Sequence, residues 1–265
     1  MVGWVPTAAS GMGDVGAAPS ANEPLWLAGR NGTVWRTDDG KDFEQLTGHG
    51  LPPGVTRIAG SHGRQFADTR QNVAWAVTGA GELWRFNGQG WTKTKASGML
   101  DVAVSPFDRA WVLGQNGTVW MTGEVGDQFV QVRPHDGAPV FIRIAVVPDL
   151  VVRADTIWLA GNDGSLWRLN PSQTDWWRTN ASEVGDVALG PHGRLWLAGT
   201  NGTVWHSDGV HFTRVSTLPD RRQLATPKHD QSLPPLHIES LAGRGNTVWG
   251  VTNTGELWKF DATNL

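Results

Sequence analysis

The apolar positions of this chain fall into short runs. Leu25-Trp26-Leu27-Ala28-Gly29 is followed by polar Arg30-Asn31-Gly32-Thr33 and then by Val34-Trp35. Runs of this length, bounded by Gly, Asn and Asp, read as strands joined by tight turns and not as helices. The pattern recurs. Tryptophans stand nine apart at Trp26/Trp35, Trp75/Trp84, Trp111/Trp120, Trp158/Trp167, Trp196/Trp205 and Trp249/Trp258, which uses twelve of the 16 tryptophans. The pairs follow one another at intervals of 36 to 53 residues. A module repeated on that scale is one supersecondary unit whose neighbours bury its faces.

Each copy predicts a hairpin. Asn31-Gly32, Asn116-Gly117 and Asn201-Gly202 suit a two-residue type I′ turn. That turn pairs Arg30 with Thr33 and Ala28 with Trp35, and it places Trp26 and Trp35 on one face. Leu25, Leu27 and Val34 then make the other face apolar too. A sheet buried on both sides fits blades stacked radially around an axis, a β-propeller. The copies alternate. Odd copies carry Asn-Gly-Thr-Val-Trp; even copies end in Gly-Glu-Leu-Trp-Arg (81–85), Gly-Ser-Leu-Trp-Arg (164–168) and Gly-Glu-Leu-Trp-Lys (255–259). Three two-blade units give one all-β, six-bladed propeller of four-stranded blades over residues 1–265.

The N-terminus has a place in this scheme. Trp4 precedes Asp14-Val15 by ten residues, as Trp91 precedes Asp101-Val102 and Trp176 precedes Asp186-Val187. Trp91 and Trp176 each close an even blade, and the last even copy runs out of chain. The N-terminal strand is therefore expected to complete the last blade and close the ring. Outer strands are expected at Phe43, Trp91, Phe129, Trp176 or Trp177, Phe212 and Trp4. The connections after odd blades are long and lie on the face of the Asn-Gly turns, where binding loops are expected. The longest, Leu218 to Pro235, is polar and contains prolines, the composition of a mobile segment.

Composition narrows the chemistry. A net charge of −3 does not suggest a nucleic-acid surface. No cysteine is present, so disulfides, thiol catalysis and Cys-ligated metals are excluded. Residues 1–20 lack a basic segment followed by an apolar one, and no stretch is apolar enough to span a membrane. The expectation is a protein that is cytoplasmic or released without a classical signal peptide. The eight histidines show no ligand-pair spacing, so no metal and no cofactor are expected.

The pattern in Val73-Ala-Trp-Ala-Val-Thr-Gly-Ala-Gly-Glu-Leu-Trp-Arg85 and Val248-Trp-Gly-Val-Thr-Asn-Thr-Gly-Glu-Leu-Trp-Lys259, followed by an aromatic outer strand, resembles the tectonin repeat. The resemblance covers essentially the whole chain. It implies a non-enzymatic lectin with several equivalent sites, whose partners are N-acetylglucosamine, O-methylated sugars or bacterial surface glycans. This chain departs from the family in using Trp where Tyr or Phe is common, and it has no Tyr.

Candidate site residues follow from sugar chemistry. Indole faces stack on pyranose C–H groups, which points to Trp35, Trp84, Trp120, Trp167, Trp205 and Trp258, each weighed against simple core packing. The neighbouring Arg36, Arg85 and Arg168 are candidate donors. Asn31, Asn116 and Asn201 are candidate polar anchors, although turn geometry alone explains them. Catalytic residues are not expected: the tyrosine nucleophile of sialidase propellers is absent, and the Asp38–Phe43 run reads as a turn. The alternatives are a protein-interaction scaffold and, behind it, a hydrolase or lyase using Asp14, Asp101 and Asp186 at the axis.

Overall fold

A computed structural model of the chain describes residues 3–265, apart from 19–21, 49, 62–72, 106–108, 123–127, 134, 150–153, 170–174, 216–217 and 219–234. The greater part of the connection expected to be mobile thus lies outside the described residues. The first strand is β1 (Trp4–Pro6). Blade 1 comprises β2 (Met12–Ala17), β3 (Leu25–Gly29), β4 (Val34–Thr37) and β5 (Glu44–Gln45). Blade 2 comprises β6 (Val55–Ser61), β7 (Val73–Thr78), β8 (Leu83–Phe86) and β9 (Trp91–Lys93). Blade 3 comprises β10 (Met99–Val104), β11 (Ala110–Gly114), β12 (Val119–Thr122) and β13 (Phe129–Gln131). Blade 4 comprises β14 (Phe141–Asp149), β15 (Ala154–Gly161), β16 (Leu166–Leu169) and β17 (Trp176–Arg178). Blade 5 comprises β18 (Val184–Leu189), β19 (Leu195–Gly199), β20 (Val204–Ser207) and β21 (Phe212–Val215). Blade 6 comprises β22 (Ile238–Arg244), β23 (Thr247–Thr252) and β24 (Leu257–Asp261), with β1 as its outer strand. A single 3₁₀ turn, Pro191–Gly193, is the only helical element among the described residues.

The six antiparallel sheets form a closed ring, each inner strand lying against the inner strands on both sides. β1 closes it as expected, with Trp4 opposite Phe260 and Pro6 opposite Trp258. The hairpin register differs from the expected one. Leu27 pairs with Trp35 and Trp26 with Arg36. The Gly29 N–H donates to Thr33 O at 2.7 Å and the Gly32 N–H to Gly29 O at 2.8 Å, with Gly32 at φ 81. The loop is therefore three residues, Arg30-Asn31-Gly32, a turn that ends in a left-handed glycine bulge. One extra loop residue slips the register by one and turns the second strand over. Trp26 and Trp35 consequently point to opposite faces. The same register holds in every blade, with Trp75 opposite Arg85, Trp111 opposite Met121, Trp158 opposite Arg168, Trp196 opposite His206 and Trp249 opposite Lys259.

The core is six clusters, one per seam between blades. Trp26 reaches forward to Ile58, Phe86 and Trp91 of blade 2, and Leu27 and Trp35 reach back to Trp249 and Leu257 of blade 6. Trp111, Trp158, Trp196, Trp75 and Trp249 repeat the forward contact at the other seams. Two-sided burial thus needs the two tryptophans of a pair on opposite faces, and the three-residue loop supplies this.

Around the axis, every inner strand carries a β-bulge just before one residue: Asp14, Arg57, Asp101, Arg143, Asp186 and Ser240. Bulges re-aim side chains, and these six form a belt. Asp14 Oδ2 accepts the Ile58 N–H at 2.7 Å, Asp101 Oδ2 the Ile144 N–H at 3.0 Å and Asp186 Oδ2 the Leu241 N–H at 2.7 Å. Each aspartate so ties an odd blade to the next even one. Arg57 lies 3.5 Å from Asp14 and 4.0 Å from Asp101, and Arg143 lies 3.1 Å from Asp186. Blade 6 breaks the alternation, with Ser240 donating to Asp14 Oδ1 at 2.7 Å.

Candidate functional site

Trp35, Trp120 and Trp205 occupy equivalent places on the odd blades. Each indole N–H donates at 2.9 Å to the threonine two residues earlier: Thr33, Thr118 or Thr203. Each threonine hydroxyl donates in turn at 2.6 Å to Asn31, Asn116 or Asn201 Oδ1. The asparagines thus set the turn and orient the indole through the hydroxyl. With its N–H committed, each indole has only its face to offer. On the even blades the partner of the indole N–H is Glu82, Ser165 or Glu256.

Odd and even sites differ in cover. The long connections that follow odd blades pack on the even-blade tryptophans. Leu51 lies in the cluster with Trp84, Val132 in that of Trp167, and Leu218 and Leu236 in that of Trp258. The His135 ring sits 5.3 Å from that of Trp167. Trp167 and Trp258 are buried, at 7% and 3% exposure. Trp35, Trp120 and Trp205 stay half-buried beneath short connections, and Trp84 is half-buried too despite Leu51. The bulky loops expected to bind are, in their described parts, the covers of the even indoles.

The basic candidates are placed elsewhere. Neighbours on a strand alternate faces, so Arg85 and Arg168 do not join Trp84 and Trp167. They lie over the first tryptophans of their blades, Arg85 5.5 Å from the Trp75 ring and Arg168 5.7 Å from the Trp158 ring. Arg36 pairs with Glu44 at 2.8 Å.

The seam between blades 4 and 5 holds a hollow of about 330 Å³ on the Asn-Gly face. Trp205, Phe212 and Leu197 supply its apolar lining, and Asn180, Ser182, Glu183 and Asn201 its polar lining. Glu183 has φ 58, left-handed for a non-glycine residue. Three connections share one plan: Thr7-x-Ala9-Ser10-Gly11, Thr94-x-Ala96-Ser97-Gly98 and Thr179-x-Ala181-Ser182-Glu183. The threonine hydroxyl donates to Leu257 O, Leu83 O and Leu166 O respectively, at 3.0, 2.9 and 3.1 Å. The last residue is left-handed in all three, at φ 73, 69 and 58. Glycine meets that demand without strain in the first two; the third keeps a carboxylate there, and Asn201 Nδ2 donates to its Oε2 at 2.5 Å. A residue held in this region costs about 1–3 kcal/mol, and such strain clusters at functional sites. Glu183 was not a candidate from its residue type; aligning the three Thr-x-Ala-Ser segments singles it out.

The axial aspartates are structural ties, each with a backbone N–H from the next blade. Among the described residues, no group of three His, Cys, Asp or Glu side chains is placed to hold a metal, and no helix is long and apolar enough to cross a membrane. The Asp39 side chain accepts the Lys41 and Asp42 N–H groups at 2.8 and 3.0 Å, confirming a turn role for that run.

No family model matches the chain, and no curated protein matches it. Solved structures do. YCF48 bound to D1 peptide is similar at TM-score 0.62 and 14% identity, covering 97% of this chain and 96% of that one. YCF48 from Cyanidioschyzon merolae is similar at 0.60 and 15%, with both chains covered in full (100%). A catalytically inactive virginiamycin B lyase from Staphylococcus aureus, solved with quinupristin, is similar at 0.62 and 11%, covering 98% of this chain and 99% of that one. At these identities the likeness is one of fold.

Proposed function

We propose that this protein is a non-enzymatic carbohydrate-binding propeller related to the tectonin lectins, with its sites at the odd-blade tryptophans. The supporting observation is the hollow at Trp205: an aromatic wall with its N–H already committed, faced by amide, hydroxyl and carboxylate groups. A sugar presents the matching surface, an apolar C–H face and a hydroxyl edge. Glu183 Oε1 has no partner among the described residues and accepts a sugar hydroxyl in this reading. N-acetylglucosamine, O-methylated sugars and bacterial surface glycans are the proposed ligands, and secretion without a classical signal peptide, or a cytoplasmic location, is the proposed setting. Three related sites per ring allow avidity gains of roughly 10² to 10⁴ on a glycan-coated surface.

A glycan array on the purified protein tests this. Each Trp→Ala change at Trp35, Trp120 or Trp205 removes about 1–2 kcal/mol of apolar contact from its site, roughly tenfold in affinity. The triple variant, checked for native circular dichroism, is expected to lose array binding. Retained binding by that variant, or no binding by the native protein, rejects the reading. Glu183→Gly is expected to stabilise the fold by about 1 kcal/mol through relief of backbone strain, while weakening one site of the three. A thermal melt that falls instead of rising contradicts the strain argument.

The second reading is a peptide-binding scaffold. It is favoured by the likeness to a propeller solved with a peptide over 97% of this chain, and by Val130 and Trp177 on outer strands, 51% and 48% exposed. A native protein silent on the array directs attention to it.

A further inference from the structure

The seam between blades 4 and 5 has a second hollow, of about 530 Å³, on the opposite face. Its lining includes Trp158, Arg168, His192, Asp208 and Val210, and it shares no residue with the Trp205 hollow. We propose that this second hollow binds a singly charged carboxylate on a hydroxylated body, the chemistry of a uronic-acid residue, with Arg168 as its anchor.

Arg168 carries the argument. Its guanidinium carbon lies 5.7 Å from the Trp158 ring and 5.4 Å from the Trp177 ring, so two indoles hold it. Arg85 over Trp75 and Lys259 over Trp249 take the equivalent place, each with one indole among the described residues. Stacking uses the faces of the guanidinium and leaves its N–H groups at the edge. Nε is buried without a hydrogen bond, and among the described residues no ion pair engages the two terminal groups. A pre-oriented guanidinium that lines a hollow and has no ion pair among the described residues is suited to take a carboxylate through its two terminal nitrogens.

Two neighbours narrow the ligand. His192 stands at φ 59, the second left-handed non-glycine among the described residues, in the turn between β18 and β19. The strained backbone keeps an imidazole on the hollow where glycine would leave none. Asp208 accepts the Val210 and His211 N–H groups at 2.9 and 2.8 Å, which hold its carboxyl down to about 2. It is therefore ionised in the same hollow, and no ion pair joins it to Arg168 among the described residues. A fixed negative charge in the same hollow disfavours a doubly charged phosphate and accepts from ligand hydroxyls.

The test is calorimetric titration of the whole protein with sodium glucuronate, glucose and inorganic phosphate at pH 7.5. Glucuronate is expected to bind at least about tenfold more tightly than glucose. Arg168→Gln is expected to abolish that preference. His192→Gly, which relieves strain and so keeps the fold, is expected to weaken glucuronate without strengthening glucose. Asp208→Asn is expected to raise phosphate binding. The proposal is overturned if glucuronate and glucose bind alike, if phosphate binds the native protein as tightly as glucuronate, or if the Arg168→Gln variant, folded by circular dichroism, keeps native glucuronate affinity. The Trp35/Trp120/Trp205 alanine variant should retain glucuronate binding, so failure of the seam-sugar reading is read separately.

Discussion

Replacing Trp4 with alanine is expected to cost about 3–5 kcal/mol of stability, and to lower the melting temperature by on the order of 10 °C. Trp4 is 5% exposed and packs 5.5 Å from the Phe260 ring at 48°. It sits in one cluster with Trp196, Ile238 and Trp258, across the seam of blades 5 and 6. Its contribution is apolar. The indole N–H is buried without a hydrogen-bond partner, so Trp4→Phe removes an unmatched donor while keeping most of the ring, and is expected to cost about 1 kcal/mol. Deleting residues 1–6 removes the same contacts and also strips β24 of its partner strand. That leaves the propeller with an open edge, a template for pairing between chains. The expected result is self-association on size-exclusion chromatography together with the lowered melt. A Trp4→Ala protein that melts within about 2 °C of the native one contradicts the closure argument.

Asp186→Ala is expected to cost about 3 kcal/mol. It deprives the Leu241 N–H of its acceptor at 2.7 Å and Arg143 of a carboxylate at 3.1 Å, both near the axis. The same site predicts a pH dependence. Burial raises the Asp186 carboxyl to about 7 against the opposing pull of Arg143, with Asp101 adding to the rise. Burial likewise raises Asp101 to about 6, opposed by Arg143 and Arg57. Ser240 stands where a third arginine would complete the belt, so Arg143 is the one ion-pair partner of Asp186 among the described residues. Between the ordinary carboxylate pKa near 3.8 and these values, the folded chain holds protons that the unfolded chain has released. Stability from this pair is therefore fully present below about pH 4 and is lost as pH rises toward 7. His206 acts oppositely: burial, then Arg194, lowers its pKa, so its contribution falls on acidification. The difference between native and Asp186→Asn urea midpoints isolates the aspartate. The native protein should lose stability relative to the variant from pH 5 to pH 8. A constant difference rules out the buried-proton account.

The interval of nine between tryptophans, the alternation of odd and even copies and the offset of Trp4 from Asp14 were legible because they are local or periodic features. They determine strand number, blade number and ring closure whatever the fine packing. The register was not legible. Asn31-Gly32 suits both a two-residue and a three-residue loop, and only burial against both neighbours selects the longer loop that sends Trp26 forward and Trp35 back. Which tryptophans stay open was also a tertiary matter, since Val132, His135 and Leu236 are distant in sequence from the indoles they cover. The odd-blade candidates Trp205 and Asn201 do meet at one hollow; Arg85 and Arg168 do not join Trp84 and Trp167, because adjacent strand residues face opposite seams. Glu183 and His192 are ordinary residue types whose significance lies in a backbone conformation. By itself the sequence determined a six-bladed ring closed by its own N-terminus, because repetition and alternation specify that much. Which faces, charges and strained side chains gather at the seam of blades 4 and 5 was decided by the tertiary structure, because contacts between blades join residues that no local pattern connects.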